Sequence, residues 1–246
     1  MKVQKLLLIF LFVSFQTQAQ SDSTRQSQYG KHPTHWKHAL ATPALLTVLG
    51  ALATTDNEVF YQEDFYEQRN RWIPRFRTHA DDFLQYAPIA GVIVLNGAGI
   101  KGQHDIVNQT ALLLKSELIM AAIVFPLKKL TAVPRPDNRM LNSFPSGHTA
   151  QAFAAATFLH KEYGKDHPFL SVLAYSTATG IGLLRVMNNR HWMSDVLVGA
   201  GIGIFATNLA YHTHQNKWGH QRRTRPLLIP SYAQGAFGMS MVIPIH

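Results

Sequence analysis

A histidine and an aspartate in the last quarter of this chain have the types and the spacing that nucleophilic attack requires. His191 and Asp195 are four residues apart, so on a helix they share one face. The carboxylate can then accept the Nδ1 proton of the imidazole, which fixes the tautomer and leaves Nε2 free to attack. Two other interpretations stay open at this level, a buried histidine with a satisfied hydrogen bond and a His/Asp metal pair.

A second cluster, Pro145-Ser146-Gly147-His148, has the sequence of a helix start. Pro145 disfavours helix before it, and Ser146 is a natural N-cap residue for the helix-forming residues that follow. Gly147 lets a ligand approach the backbone, and the unpaired amides of a helix start attract an anion. Ser146 and Gly147 are also compatible with simple helix capping.

Three cations flank these clusters. Lys128 and Arg135 lie just beyond the third apolar stretch of the chain, and Arg185 precedes His191 by six positions. Arginine can hold two phosphate oxygens at once, although cations at a helix end also suit the carbonyl dipole. Lysine and arginine beside the histidines repel a metal ion and attract an anion, so the three clusters together predict a phosphate site with no metal and no cofactor.

These clusters resemble the signature of the type 2 phosphatidic acid phosphatase (PAP2) superfamily, which includes class A acid phosphatases and vanadium haloperoxidases. The resemblance implies a phosphohistidine at His191, with Asp195 as its partner and His148 as the general acid. It further implies phosphate binding by Lys128, Arg135, Ser146, Gly147 and Arg185. One departure is Leu184, which stands where the family often has serine before the third-motif arginine.

Six apolar stretches, rich in Ala, Leu and Gly and without strict alternation, predict the helices that position these residues. The expected fold is all-α, a six-helix bundle of the PAP2/haloperoxidase type that is associated with a membrane. Most stretches fall short of the ~20 apolar residues of a clean membrane span, which keeps a shallowly seated or soluble exported bundle open. The stretches are Ala39–Thr55, Leu84–Ile100, Thr110–Leu127, Ala150–Leu159, Phe169–Leu184 and Val196–Tyr211.

The N-terminus has the pattern of a secretory signal, with Lys2 and Lys5 before an apolar run and small residues before a cleavage point after Ala19. An uncleaved anchor is the alternative. The predicted organisation is therefore a signal peptide (1–19), a polar segment (20–37), the helical phosphatase domain (38–215) and a basic C-terminal tail (216–246).

Composition narrows the classes of function and partner. The chain has no cysteine, which excludes disulfides, thiolate metal sites and a thiol nucleophile. Its net charge of +9 favours an anionic partner. The segment Glu58–Tyr86, with interleaved arginines and aromatics, suits either a lipid headgroup zone or an amphipathic helix packed on the bundle. No nucleic-acid-binding motif accompanies the basic residues Lys217, Arg222, Arg223 and Arg225.

The leading hypothesis is a metal-independent phosphatase of the cell envelope, acting on lipid phosphate or pyrophosphate at a membrane surface. Its site would face the periplasm or exterior, which requires that at least one early apolar stretch does not cross the membrane. Phosphatidic acid, phosphatidylglycerol phosphate, undecaprenyl pyrophosphate and lipid A phosphates all stay open as substrates. The alternatives are an exported soluble acid phosphatase, a vanadate haloperoxidase and a non-catalytic protein that binds anionic lipid.

Overall fold

The structure is a computed structural model that describes residues 34–54, 62–214, 227–233 and 236–242. The predicted signal peptide and the basic residues from Lys217 to Arg225 lie outside the described residues. The chain divides into two units, residues 1–215 and 216–246, and all the predicted site residues belong to the first.

The described part of the first unit contains eight helices, and each of the six predicted apolar stretches forms one of them. The all-α prediction is therefore confirmed for the described part of this unit. Helix α1 begins at Thr34, inside the predicted polar segment (20–37). The two short helices lie within Glu58–Tyr86, for which an amphipathic helix packed on the bundle was one of the two interpretations. The helices are α1 Thr34–Leu52, α2 Gln62–Trp72, α3 Ala80–Leu84, α4 Ala87–Gly97, α5 Ile106–Thr131, α6 Gly147–Tyr163, α7 Pro168–Met187 and α8 Met193–His212.

Helix α8 is the central helix of the bundle, packed against α1, α5, α6 and α7. Its glycines allow close approach: a Cβ on Gly199 would lie 2.5 Å from the carbonyl oxygen of Ser146. Small residues one turn apart, such as Gly199 and Gly203, let two helix backbones pack tightly. The N-terminus of α6 therefore sits directly against the N-terminal part of α8.

The last four helices run alternately up and down, which brings four helix ends together. Lys128 lies in the last turn of α5, and Gly147 begins α6. Arg185 lies in the last turn of α7, and Asp195 in the first turn of α8. All the motifs of the sequence therefore meet at one end of the bundle.

Among the helices that the structure describes, three are long and apolar enough to cross a membrane: α5, α7 and α8. Of the most apolar 18-residue segment of each helix, 89% is buried in α8, 22% in α5 and 33% in α7. Most of α8 therefore lies inside the bundle. Helices α5 and α7 consequently present large apolar side chains outward, among them Leu118, Phe125 and Phe169. Such apolar surfaces are typical of helices that face lipid.

The second unit contains an antiparallel β hairpin, in which β1 (Leu227–Ala233) pairs with β2 (Ala236–Val242). Leu227 is opposite Val242, and Ala233 is opposite Ala236. A connection of two residues is typical of hairpins. The sequence analysis predicted only a basic tail here, although Phe237, Met239 and Met241 alternate with Gly238 and Ser240 along β2.

Candidate active site

His191 and Asp195 form the hydrogen bond that their spacing predicted. The Nδ1 atom of His191 is 3.2 Å from Oδ2 of Asp195, and both side chains are buried. The same oxygen accepts hydrogen bonds from Oγ of Ser143 at 2.5 Å and from the amide of Trp192 at 2.9 Å. Three donors thus hold one carboxylate oxygen, and the aspartate orients the imidazole through Nδ1.

Burial has a direct effect on the protonation of His191. Removal from water lowers the pKa of His191 to about 4, and nearby Arg185 and Lys128 act in the same direction, against the opposing effect of Asp195. The imidazole is therefore neutral at any pH well above 4. A neutral imidazole with Nδ1 bound to a carboxylate is the form that can act as a nucleophile through Nε2.

The start of α6 presents backbone amides beside this pair. Ser146 is its N-cap residue, and its hydroxyl accepts from the amide of Thr149 at 3.4 Å. The amide of Ser146 donates to the backbone oxygen of Asp195 at 2.9 Å, which ties the two helix starts together. A Cβ on Gly147 would meet only Lys128 and Val124, at 3.9 and 4.0 Å, so this approach to the backbone is open.

Lys128 organises the loop before α6. Its Nζ donates to the backbone oxygens of Asn142 at 2.8 Å, Ser143 at 3.3 Å and Pro145 at 2.7 Å. The ammonium therefore stabilises the segment that carries Ser143 and Ser146. Contact with a phosphate, as the sequence predicts, would exchange one of these carbonyl contacts for a phosphate oxygen.

The guanidinium of Arg185 is paired with a carboxylate through one nitrogen and lacks a hydrogen-bond partner at another. Its Nη1 pairs with Oδ2 of Asp81 at 2.5 Å, while its Nε is buried and has no hydrogen-bond partner. Asn188 donates to the other oxygen of Asp81 at 3.1 Å. A buried guanidinium N–H without a partner is rare, and an oxyanion in the site is a natural acceptor for it.

Arg135 lies on the loop between α5 and α6, where its Nε donates to Oδ1 of Asn142 at 2.7 Å. Burial and the positive charge of Arg185 lower the pKa of Arg135, which places these two guanidinium groups in the same cationic region. One edge of Arg135 is thus fixed by Asn142, and the sequence prediction assigns its other N–H groups to the phosphate.

His148 projects from the first turn of α6 toward α3. Its Nε2 is 2.8 Å from Oδ1 of Asp82, and the other oxygen of Asp82 is 3.2 Å from Nδ1 of His79. Burial and Arg185 lower the pKa of His148, while the hydrogen bond to Asp82 raises it. Asp82 also lines a cavity of about 190 Å³ whose other lining residues are Arg77, Thr78, His79, Arg185, Asn188 and Arg190.

The structure brings the eight predicted site residues to one end of the bundle, where Arg185 lowers the pKa of both histidines and Lys128 lowers that of His191. The sequence reasoning missed Ser143, Asn142, Asp81, Asp82 and Asn188. Ser143 and Asn142 directly precede the Pro145 cluster, so their position was a usable signal. No signal in the sequence marked Asp81 and Asp82, because the chain separates Asp81 from Arg185 by 104 positions.

Helix α2 of the segment rich in arginine and aromatic residues packs on the bundle, which is one of its two interpretations. Arg69 donates to the backbone oxygen of Met187 at 2.9 and 2.6 Å, at the end of α7. The ring of Tyr66 packs 5.6 Å from that of Trp192, and Phe65 contacts the core. This part of the segment therefore packs on the bundle beside the site, although Trp72 stays exposed.

Comparison with known proteins agrees with this site. The family model of the PAP2 superfamily matches residues 109–219, which include the span from Lys128 to Asp195. A lipid A 1-phosphatase from Porphyromonas gingivalis is 40% identical over 139 residues, which cover 55% of this chain and 31% of that protein. The chain thus matches about a third of the length of this curated relative.

Two solved structures are also similar. LpxE from Aquifex aeolicus is 24% identical, with a TM-score of 0.44, covering 59% of this chain and 93% of that one. A transmembrane PAP2-type phosphatidylglycerolphosphate phosphatase from Bacillus subtilis is 18% identical, with a TM-score of 0.46, covering 70% of this chain and 94% of that one. The segment that the PAP2 family model matches, residues 109–219, contains all eight predicted site residues.

Proposed function

We propose that this protein is a metal-independent phosphatase that hydrolyses lipid phosphate monoesters through a phosphohistidine intermediate. The observation that carries the proposal is the buried His191, bonded through Nδ1 to Asp195 and close to the cations Arg185 and Lys128. A transferring phosphoryl group spreads negative charge over its oxygens, and these cations with the amides of α6 would stabilise it.

In the first step, Nε2 of His191 attacks phosphorus while the bond to the leaving oxygen breaks. His148 gives a proton to that oxygen, so the lipid leaves as an alcohol and the phosphoryl group stays on His191. In the second step, His148 takes a proton from water, whose oxygen attacks phosphorus. The phosphorus–nitrogen bond then breaks, which releases phosphate and restores His191.

The outward apolar surfaces of α5 and α7 support a substrate that lies in a membrane. The relative from Porphyromonas gingivalis makes lipid A 1-phosphate the first substrate to test.

We expect purified protein in detergent to release phosphate from such a lipid at the same rate with and without EDTA. We expect micromolar vanadate to inhibit this release, because the cradle of cations and amides suits a trigonal-bipyramidal oxyanion. A panel with phosphatidic acid, phosphatidylglycerol phosphate, undecaprenyl pyrophosphate and a soluble monoester would rank the substrates. Loss of activity in EDTA, restored by a divalent cation, would contradict the proposed mechanism.

The pH dependence follows from the two histidines. His191 acts in its neutral form, so activity falls as the pH drops through its pKa of about 4. His148 acts first as an acid, so activity falls as the pH rises through a pKa that burial and Arg185 lower below the ordinary 6.5. We expect a bell-shaped profile of kcat/KM with its maximum on the acid side of 6.5. A maximum above neutral pH would contradict these protonation states.

We also propose that the site faces the exterior. Helix α4 has 11 residues, about 16 Å of helix, too short for a hydrocarbon core of ~30 Å. Helix α1 has 19 residues, about 28 Å. If α1 crosses inward after a cleaved signal and α4 does not cross, α5 returns outward and carries Lys128 to the exterior.

Cysteine labelling tests this arrangement, since the chain has no cysteine of its own. Leu141 is exposed on the loop before α6, and Gln103 is exposed near the opposite end of α5. An impermeant maleimide should label Leu141→Cys in intact cells and Gln103→Cys only after lysis. The reverse pattern would place the site in the cytoplasm.

A further inference from the structure

Asp82 is an acidic residue in contact with the proposed general acid, and the reaction steps above do not use it. We propose that Asp82 is a positioning residue that holds the His148 ring by Nε2 and so directs Nδ1 to the leaving oxygen. This inference rests on the proposed function, because it concerns the proton that His148 gives to the lipid alkoxide.

The first support is geometric. Oδ1 of Asp82 is 2.8 Å from Nε2 of His148, and the described part of the chain offers Nδ1 of that ring no hydrogen bond. One ring nitrogen is therefore occupied by a carboxylate and the other is available. This is the arrangement in which a carboxylate orients an imidazole for proton transfer at its second nitrogen.

The second support is that α3 is fixed in place by its other aspartate. Asp81 is completely buried and bound to Arg185 and Asn188. Asn188 also exchanges two hydrogen bonds with the backbone of Thr78, at 2.8 and 2.9 Å. These contacts anchor the residues before and within α3 to the end of α7, so Asp82 reaches His148 from a rigid support.

Asp81 and Asp82 therefore have different roles. The Asp82 side chain is 43% exposed and that of His148 31%, and pairs of this exposure contribute little to stability. Asp81, in contrast, pairs with the buried guanidinium of Arg185 at 2.5 Å, whereas Asp82 lies 3.8 Å from the same Nη1. Substitution of Asp82 should thus leave the fold intact and show its effect in the reaction.

Charge around His148 gives Asp82 a second effect. Arg185 on α7 disfavours an imidazolium at His148, whereas Asp81 and Asp82 on α3 favour it. Lys128 on α5 and Asp195 on α8 act on His191 instead. Although burial raises the pKa of Asp82, its hydrogen bonds with His148 and His79 lower it overall, so it stays ionised in the acid range. The ionised carboxylate keeps His148 protonated until the leaving oxygen takes the proton from Nδ1.

The test compares two leaving groups in the full-length protein. An alkyl phosphate such as phosphatidic acid needs a proton on its leaving oxygen, whereas 4-nitrophenyl phosphate leaves as a stable aryl oxide. In Asp82→Asn we expect kcat/KM to fall about 10- to 100-fold on the alkyl ester and less than ~3-fold on the aryl ester. The basic limb of the pH profile on the alkyl ester should move to lower pH, because the variant lacks the charge that favours imidazolium.

Asp166→Asn is the matched control, since Asp166 is an exposed aspartate beyond the opposite end of α6, about 25 Å away. This control variant should hydrolyse both esters at the wild-type rate, and the basic limb of its pH profile should not move. The double variant Asp82→Asn/His148→Asn should be no slower than His148→Asn alone, because Asp82 acts through that ring.

Equal losses on both esters, or an unmoved basic limb, would show that Asp82 only supports the local structure and would overturn the inference. If the wild-type protein hydrolyses neither ester nor any lipid of the panel, the proposed function itself fails, and the inference falls with it. The aryl ester activity of Asp82→Asn also reports that the variant is folded.

Discussion

Replacing His191 with alanine is expected to lower kcat by at least about 10⁴-fold on every substrate that the protein accepts. In the proposed mechanism His191 forms the bond to phosphorus, and no other imidazole in the described structure is bonded to a buried carboxylate beside Lys128 and Arg185. The cradle of cations and amides would still bind phosphate, so we expect vanadate or phosphate to bind the variant. Phosphate release under single-turnover conditions, together with phosphate binding by calorimetry, measures both expectations.

His167→Ala is the matched control for that variant. His167 is an exposed histidine that precedes α7, at the end of the bundle opposite the site, and its side chain makes no capping hydrogen bond. It should keep full activity. Activity within tenfold of wild type in a folded His191→Ala would contradict nucleophilic catalysis by this residue.

Replacing Asp195 with asparagine is expected to lower kcat by about 10³- to 10⁴-fold with a much smaller change in KM. The asparagine is nearly isosteric, so its oxygen can still accept from the Trp192 amide and the Ser143 hydroxyl. It no longer supplies the negative charge that selects the Nδ1–H tautomer of His191 and stabilises positive charge on the ring. Steady-state kinetics on the best lipid of the panel gives kcat and KM separately.

The asparagine variant should keep a melting temperature close to that of the wild type. A large loss of thermal stability together with raised KM would instead indicate that Asp195 mainly holds α8 against the Ser143 loop. Asp166→Asn again serves as the control for removal of one carboxylate. An Asp195→Asn variant with wild-type kcat would contradict the assigned role of the His191–Asp195 hydrogen bond.

The sequence predicted the parts of the site that depend on local spacing. His191 and Asp195 are one helical turn apart, so any helix at that position brings them together. Ser146 at a proline-marked boundary predicts the start of α6 in the same way. The six apolar stretches predicted six helices, because runs of Ala, Leu and Gly without alternation have few other stable conformations in a buried setting.

Contacts between segments that are distant in the chain could not be predicted from the sequence. Asp81 and Asp82 lie in a short helix without an apolar run, and only the packing of α3 against α6 and α7 brings them to Arg185 and His148. The sequence also did not show which cations make contacts within the protein itself. Lys128 was predicted as a phosphate ligand from its charge, yet its position over three backbone oxygens depends on the path of the loop before α6.

The stereochemical course at phosphorus tests covalent catalysis most directly. Wild-type protein would hydrolyse a lipid phosphate made chiral at phosphorus with three oxygen isotopes, and the configuration of the product would be read after transfer to a chiral acceptor. Two successive displacements, first by His191 and then by water, predict retention of configuration. Inversion would mean a single direct attack by water and would contradict the phosphohistidine intermediate.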